Sequence, residues 1–491
     1  MLIGFGRING AIASRRSFPT IHPVGGMPGF LWVWDREGGA AGGLDPLAIE
    51  AVMPGYDSEE AGRLLRAARA AAQGQDWDLA RDLYASLQQI GIDDYRLIAN
   101  QAEACWFADQ PQQAHRLYSE AAGLAPADPL PWRGLGNALR DLNRFAESRD
   151  AYQRSLDLAQ DPLTAWNASQ LLIGLEDYEQ AFRLAEARFD HPGFSPYRPP
   201  GPFLEGTFGS GRRLVLWTEQ GFGDSLQYLR WCVPLASQSR HRLVLELEPA
   251  LLSLFRLGLS WLPSKPRVRS KGPKPTPLAR GEQPCSLMSL PHHFGAAPLG
   301  SVFEPTERPG HWSGYLRHPS WPLAVPARKP RVGLVWAAGR KLDDPFTARE
   351  YRKRSLPPDA LGQLILGLRS QAAELVALQI GPDHALAQPW RECFEASIPQ
   401  PADFAENARW IRQLDLLISV DTASVHLAGA LGHPCWTLLP YSADPRWLRD
   451  RSDSPWYPSL RLFRQPESGQ WQPVIEQILE FFTPWWHSVS G

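Results

Sequence analysis

The sequence is poor in cysteine. Its five cysteines are scattered and show neither paired nor metal-ligand spacing, which argues against a disulfide framework and a zinc site. Free thiols are typical of a reducing compartment, so we predict a cytoplasmic protein. The cysteines are Cys105, Cys232, Cys285, Cys393 and Cys435.

Long apolar runs and an excess of one charge are also lacking. No run approaches the roughly 18 residues of a membrane helix, so no transmembrane segment is predicted. The net charge of -2 and the absence of a basic run argue against a nucleic-acid partner. At 491 residues the chain is too long for one core and predicts several domains.

The chain falls into five predicted parts. Residues 1–56 are rich in glycine and lack periodicity, which predicts a poorly ordered extension. Helical repeats are predicted over 57–191, and two α/β domains over 202–325 and 330–470. Residues 471–491 are predicted to form a C-terminal helix and tail. Because a proline-rich link at 192–202 follows the repeats, we expect the repeats to be separable from the rest.

The repeats are indicated by small and aromatic residues that recur about every 34 residues, the period of tetratricopeptide (TPR) repeats. In TPR arrays, paired helices interlock small residues against aromatic ones and stack into a solenoid. A helical bundle with accidental spacing is the alternative, and three coincident registers argue against it. The registers are Ala68, Ala80, Tyr84; Ala102, Ala114, Tyr118; and Gly136, Ser148, Tyr152.

A strand–turn–helix–strand unit is predicted near the C-terminus. Leu416–Val420 is an apolar run suited to a buried strand, and Thr422 is a good N-cap for a helix over Ala423–Leu431. Cys435–Leu439 then returns as a second buried strand. The free N–H groups where such a helix begins suit a phosphate. An ordinary capped βαβ unit without a ligand is the alternative.

A matching unit lies upstream, where a predicted strand, Arg213–Trp217, leads into a glycine-containing turn and a helix. Gly221 and Gly223 permit a tight turn whose backbone is open to a ligand. Asp224 opens the helix, and it is either an N-cap or a general base at the mouth of the sheet.

A polar, cationic loop is predicted after the strand that ends at Trp336. Cations beside a helix N-terminus could neutralise a diphosphate leaving group, whereas most of these side chains are expected simply to be solvated. They are Arg340, Lys341, Arg349, Arg352, Lys353 and Arg354.

With both units in view, residues 202–480 resemble bacterial TPR-containing glycosyltransferases related to the lipopolysaccharide heptosyltransferases. The resemblance implies a TPR α-solenoid followed by a GT-B fold of two Rossmann-like α/β domains, with the active site between them. The matching segments are EQGFGDSLQYLRW (219–231), SLMSLP (286–291), GLVWAAG (333–339), RSL (354–356), LDLLISVDTASVHLAGALGHPCWTLLP (414–440) and DSPWYPSLRLFRQ (453–465).

The resemblance also implies an inverting, metal-independent transfer from a nucleotide-sugar co-substrate to an acceptor hydroxyl, with no further cofactor. Asp224 matches the residue that is proposed to deprotonate the acceptor hydroxyl, and Gly221 and Gly223 belong to the turn near the acceptor. The residues that match or accompany the donor-binding positions are Arg354, Asp421, Thr422, Ser424 and His426. The acceptor is a glycan or a protein. Two alternatives stay open: a protein O-glycosyltransferase whose repeats present the polypeptide, and a TPR scaffold that has lost turnover.

For the C-terminal helix, the resemblance implies a crossing back to the N-terminal α/β domain, with Val474, Ile478 and Phe481 buried. Contact with a membrane surface through Phe481, Phe482, Trp485 and Trp486 is the rival interpretation, although few cations accompany those aromatics.

Overall fold

The computed structural model describes residues 58–490, except residue 93 and the segments 192–196, 200–212, 238–241, 297, 299–301, 308–309, 322–328 and 400–402. The predicted extension over 1–56 and most of the predicted link at 192–202 lie outside the described residues.

The first part of the described chain consists of four helix pairs. Aspartates cap five of these helices by accepting a hydrogen bond from a backbone N–H in the first turn, as Asp128 does from Leu130 and Asp161 from Thr164. The helices are α1 (Ser58–Gln73), α2 (Trp77–Gln89), α3 (Tyr95–Phe107), α4 (Pro111–Leu124), α5 (Pro129–Asp141), α6 (Phe145–Leu158), α7 (Pro162–Gly174) and α8 (Tyr178–Ala185).

Small residues of the repeats pack directly against aromatic rings, as the TPR pattern predicts. A Cβ atom at Gly136 would lie 2.6 Å from the Tyr152 ring, and one at Gly134 would lie 2.2 Å from the Tyr118 ring. Larger side chains at these positions would therefore push the helices apart.

The first α/β domain contains a parallel four-stranded sheet in the order β3-β2-β1-β4. Its strands are β1 (Arg213–Trp217), β2 (Arg242–Leu247), β3 (Arg267–Ser270) and β4 (Glu282–Ser286). Its helices are α9 (Phe222–Tyr228), α10 (Cys232–Ser237), α11 (Leu252–Gly258) and α12 (Leu290–Phe294). A short antiparallel pair, β5 (Glu304–Pro305) and β6 (Trp312–Ser313), precedes the second domain.

The second α/β domain contains a parallel six-stranded sheet in the order β12-β11-β10-β7-β8-β9. Its strands are β7 (Arg331–Val335), β8 (Glu374–Ala377), β9 (Phe394–Ser397), β10 (Leu416–Val420), β11 (Cys435–Leu439) and β12 (Leu460–Arg464). Its helices are α13 (Pro345–Arg354), α14 (Pro358–Ser370), α15 (Phe404–Arg412), α16 (Ala423–Leu431) and α17 (Gln472–Ser490).

The expected cationic loop is wrong over most of its length, because α13 occupies it. Asp344 caps this helix, and Pro345 sits at its first position. Arg349 is not solvated: only 1% of its side chain is exposed, and it pairs with carboxylates of the helical repeats. The buried residues of this helix are Ala348 and Arg349, so its sequence does not show the broad apolar face that usually predicts a helix.

The C-terminal helix does not cross back to the first α/β domain, so that prediction is wrong. Helix α17 instead packs against α14 and β12 of the second domain, where Val474 and Ile478 are buried as expected. Phe481 is 38% exposed, with its ring beneath the Arg461 guanidinium. The helix also continues through Pro484 to Ser490.

The repeats pack against both α/β domains, which contradicts our expectation of a separable array. Arg188 is buried at the end of the array, and its Nη2 donates to Glu219 Oε1 and to Ser289 Oγ of the first domain, each at 2.8 Å. Asn143 donates to the Tyr441 carbonyl of the second domain at 3.1 Å. Buried ion pairs at such contacts would be left unpaired by separation.

Candidate functional site

The two units predicted from sequence meet between the α/β domains. Helix α9 follows β1, helix α16 follows β10, and the two helices are packed against each other. A Cβ atom at Gly223, in α9, would lie only 2.7 Å from His426 Cδ2, in α16. The structure thus brings the turn at Gly221–Asp224 and the segment that begins at Asp421 together at the contact between the two domains.

The N-terminus of α16 is capped but partly open. Thr422 accepts a hydrogen bond from the Ser424 N–H at 3.2 Å, and its hydroxyl also lies 3.2 Å from Ser419 Oγ. Thr422, Ala423 and Ser424 are only half-buried, while the helix beyond them is fully buried. A helix start of this kind favours a negatively charged group.

Arg354 brings a positive charge to this helix start. Its Nη1 donates to the Asp421 backbone carbonyl at 3.4 Å and lies 3.9 Å from Asp421 Oδ2. Burial raises the pKa of Asp421, and the nearby Arg354 opposes that rise only in part. Arg354 is the last residue of α13, so the orientation of that helix sets the position of the guanidinium.

Asp224 is buried and engaged through both carboxylate oxygens. Its Oδ2 accepts from the Gly221 N–H at 3.1 Å, which closes the first turn of α9, and only 3% of the residue is exposed. Its Oδ1 lies 2.9 Å from Arg446 Nη2 of the second domain. Asp224 is therefore not the N-cap of α9: the N-cap is Gly221, and Asp224 is the third helical residue, whose carboxylate accepts from the N-cap N–H. A role of Asp224 as base stays a prediction.

Arg446 is a site residue that sequence reasoning missed. Besides Asp224, it contacts Gln227 Oε1 at 2.8 Å and Asp444 Oδ1 at 3.0 Å. Burial lowers the pKa of this guanidinium, but the carboxylates of Asp444 and Asp224 outweigh burial and raise it. The signal was the Asp-Pro-Arg-Trp sequence over 444–447, just after the second βαβ unit.

His426 lies behind the helix start rather than at its open end. Its Nδ1 is 3.0 Å from the Tyr457 hydroxyl, and its ring centroid is 5.3 Å from that of Trp447. Burial, together with the charge of Arg446, lowers the pKa of His426 well below its usual value, so the ring is neutral. Its predicted contact with the donor stays a prediction.

The two glycines of the turn serve a different purpose from the one expected. The positive φ angle of this turn, 64°, belongs to Gln220, whereas Gly221 has an ordinary φ of -80°. Gly223 lies within α9 and must lack a side chain because His426 approaches it. Close contact between domains, rather than turn conformation, accounts for this glycine.

A small cavity of about 80 Å³ opens beside Asp224. Three parts of the molecule line it: the helical repeats through Trp166, Asn167 and Gln170, the first α/β domain, and the second α/β domain through Arg446. Lys341 is nearby, and burial lowers its pKa although it also interacts with Asp224. The repeats therefore border the cavity beside Asp224 together with both domains.

Neither a metal-ligand cluster nor a membrane-spanning helix is present among the described residues. Within 58–490, apart from the gaps given above, no group of three or more His, Cys, Asp and Glu side chains is arranged to hold a metal ion. Among the helices of that same part of the chain, none combines the length and apolarity needed to cross a membrane.

The structure consists of paired helical repeats of the TPR type followed by two α/β domains with parallel sheets. The predicted order of helical repeats and α/β domains is confirmed, and the proteins to which the chain is similar include the TPR proteins and glycosyltransferases that the predicted resemblance names. No family model matches the chain. Protein FlbA of Caulobacter vibrioides is 25% identical over 464 residues, which cover 82% of this chain and 75% of FlbA.

Several solved structures are similar to parts of the chain. E. coli heptosyltransferase WaaC with ADP is 15% identical, with a TM-score of 0.37, over 55% of this chain and 99% of WaaC. An O-GlcNAc transferase mutant from Thermobaculum terrenum is 15% identical, with a TM-score of 0.31, over 89% of this chain and 95% of its own. The Arabidopsis OM64 TPR domain is 20% identical, with a TM-score of 0.23, over 23% and 95% of the two chains.

Proposed function

We propose that the protein is a glycosyltransferase that moves a sugar from a nucleotide-sugar donor to an acceptor hydroxyl, with inversion and without a metal ion. The observation that carries this proposal is the half-open N-terminus of α16 with the Arg354 guanidinium beside it. A diphosphate leaving group develops negative charge as the sugar departs, and a helix N-terminus with a fixed cation stabilises that charge.

In this proposal the donor diphosphate contacts the start of α16. The hydroxyls of Thr422 and Ser424 and the adjacent backbone N–H groups donate to phosphate oxygens, and Arg354 supplies the positive charge. Asp421 orients Arg354 through the contacts described above. We assign His426 to the interdomain contact with Gly223 and Tyr457, from which it supports the helix start.

Asp224 takes the acceptor proton on the opposite side of the site. Because Gly221 and Arg446 engage its two oxygens, the carboxylate has to loosen its pairing with Arg446 when the acceptor hydroxyl arrives. A modest movement between the two domains would do this, since Asp224 and Arg446 belong to different domains. Domain movement of this type is common in enzymes that enclose their substrates.

A protein acceptor is the second candidate, and the lining of the cavity favours it. Trp166, Asn167 and Gln170 of the repeats stand beside Asp224. The cavity of about 80 Å³ is smaller than the roughly 150 Å³ that holds a benzene ring. In this arrangement it admits a serine or threonine side chain more readily than a sugar ring.

Binding of the donor tests the proposal. Thermal-shift measurements with ADP-, UDP-, GDP- and CDP-sugars should reveal one class that stabilises the protein, by about 2.7 kcal/mol at 100 times its Kd. Thr422→Val should weaken that stabilisation, while Thr483→Val, on the exposed face of α17, should not. If no nucleotide sugar stabilises the protein, the proposal is wrong. A protein that binds a donor but transfers the sugar to no acceptor is a scaffold.

A further inference from the structure

Helix α13 joins the helical repeats to the proposed donor site. Its first two turns are held by α3, α5 and the loops that follow them, and its last residue is Arg354. From Arg349 to Arg354 the helix rises by about 7.5 Å, at 1.5 Å per residue. Less than two turns of α13 therefore separate Arg349, which contacts the repeats, from Arg354, whose guanidinium lies at the start of α16.

The repeats contact α13 through a charge cluster formed by Arg349 with Asp141 and Asp109. Arg349 Nη2 donates to Asp141 Oδ2 at 2.7 Å and to Asp109 Oδ1 at 2.9 Å. Trp106 Nε1 donates to the same Asp141 oxygen at 2.8 Å, and the Arg349 guanidinium lies 4.3 Å from the centroid of the Trp106 ring. The side chains of Arg349 and Asp141 are 1% and 4% exposed, so water cannot replace either partner.

Two further contacts fix the direction of α13 against the repeats. The ring of Phe346 stacks on Trp106 with centroids 6.4 Å apart, and Arg352 Nη2 donates to the Phe107 carbonyl at 3.3 Å. On the side of its own domain, the hydroxyl of Tyr351 donates to Asp383 Oδ1 at 2.7 Å. The helix thus contacts the repeats on one side and Asp383 of its own domain on the other.

The far end of α13 orients Arg354. Glu350 is the intermediate residue: its carbonyl accepts from Arg354 Nε at 3.2 Å, and its carboxylate lies 3.0 Å from Lys353 Nζ. Arg354 then reaches the Asp421 carbonyl at 3.4 Å. Contacts are continuous from Asp141 of the repeats to Asp421 at the start of α16.

We propose that the helical repeats set the position of Arg354 through α13, which makes Asp141 and Arg349 positioning residues for the donor. This inference rests on the proposed function, since it takes the start of α16 as the donor site. A displaced Arg349 would leave buried charges unpaired, so the contact holds α13 in one orientation. The repeats then contribute to donor affinity without touching the donor.

The test compares matched carboxylate-to-amide changes in neighbouring repeat helices. Asp141→Asn should weaken binding of the stabilising nucleotide sugar, measured by calorimetry, by about three- to thirty-fold, the range found for mutations that act through intervening residues. Glu147→Gln, at an exposed pair with Arg144, should change it less than about two-fold. Asp109→Asn, at a more exposed partner of Arg349, should give a smaller loss in the same direction.

A double-mutant cycle separates positioning from general weakening of the fold. In an Arg354→Gln background, Asp141→Asn should lose most of its effect on donor affinity, because both changes act through the same guanidinium. If Asp141→Asn leaves donor affinity unchanged, or if its effect is undiminished in that background, the inference is wrong.

Amide hydrogen exchange tests whether the repeats hold α13 in place without requiring that the protein bind a nucleotide sugar. The amides of residues 350–354 should exchange faster in Asp141→Asn than in the parent, and at the parent rate in Glu147→Gln. If the parent binds no nucleotide sugar, the proposed function fails and exchange alone decides the link. Equal exchange in Asp141→Asn and the parent would overturn the link whatever the donor result.

Discussion

Asp224 and Arg446 form a charge pair that joins the two α/β domains and is shielded from water on both sides. A charge pair of this kind gains little over apolar packing, but loss of one partner is costly because the other charge stays buried. The pair therefore specifies how the domains meet. It also means that Asp224, the proposed base, is paired with Arg446 before the acceptor binds. Asp224 has to release Arg446 in order to contact the acceptor hydroxyl.

Loss of Arg446 should weaken the whole protein. Arg446→Gln leaves the carboxylates of Asp224 and Asp444 without their guanidinium, so the free energy of unfolding should fall by about 3–5 kcal/mol. Arg451→Gln removes an equivalent side chain from an exposed pair with Asp453 and should cost less than about 1 kcal/mol. Urea unfolding measures both, and equal effects would contradict a structural role for the Asp224–Arg446 pair.

Asp141 should make the contact between repeats and α13 sensitive to acid. Burial raises the pKa of this carboxyl, but Arg349, Lys353 and Arg140 outweigh burial and lower it from 3.8 to about 2. A lowered pKa in the folded state means that the stabilisation is complete above the unfolded pKa and is lost as the pH falls from about 4 to about 2. The shift corresponds to about 2 kcal/mol.

Urea unfolding of the parent and Asp141→Asn at pH 6 and pH 3 checks this. The difference in free energy of unfolding between the two proteins should be smaller at pH 3, because the unfolded parent then takes up a proton at this carboxyl while the folded parent does not, and asparagine takes up none in either state. A difference that stays constant or grows toward pH 3 would show that the Asp141 carboxylate has no special stability in the folded protein.

At the scale of elements, the sequence predicted the strands and helices that carry the site. Strand β10, helix α16 and strand β11 were predicted at their observed bounds, because an apolar run, a threonine cap and a glycine stop are all local signals. Helix α13 was missed because its main buried contact is made by Arg349, and charge burial depends on carboxylates more than 200 residues earlier in the chain.

The same limit explains the other errors. The apolar face of α17 did not predict which domain the helix packs against, since such a face can be covered by either domain. Arg446 was not recognised although it lies in the Asp-Pro-Arg-Trp sequence, because its importance depends on Asp224 in another domain. Sequence periodicity reports which face of an element is buried but not which distant element covers it.

The contact between α9 and α16 should tolerate no side chain at Gly223. In Gly223→Ala the new Cβ would lie 2.7 Å from His426 Cδ2, so either the domains part or the ring moves, at a cost of about 1–3 kcal/mol. Gly339→Ala is a matched control because its Cβ would meet no atom within 4 Å.

Thermal unfolding should therefore show a lower Tm for Gly223→Ala than for Gly339→Ala. A second change, His426→Ala, makes room for the new methyl group, so adding Gly223→Ala to His426→Ala should cost less than adding it to the parent. If Gly223→Ala is as stable as Gly339→Ala, the close interdomain contact does not describe the protein in solution.

At the scale of the whole molecule, the helical repeats pack against both α/β domains and line part of the candidate site. They contact the first domain through Arg188 and the second through Asn143, and they line the cavity at Asp224. An acceptor bound along the repeats would meet the proposed base directly. The repeats and the two α/β domains are therefore packed into one structural unit, which periodicity and linker composition did not predict.

The most direct test of sugar transfer at this site is a paired measurement on Asp224→Asn. Asparagine is nearly isosteric with aspartate and can still accept from the Gly221 N–H, but it cannot take a proton at neutral pH. With the stabilising donor and its acceptor, turnover should fall by about 100-fold or more, while donor affinity measured by calorimetry stays within about two-fold of the parent. Transfer at the parent rate by a folded Asp224→Asn protein would contradict the account.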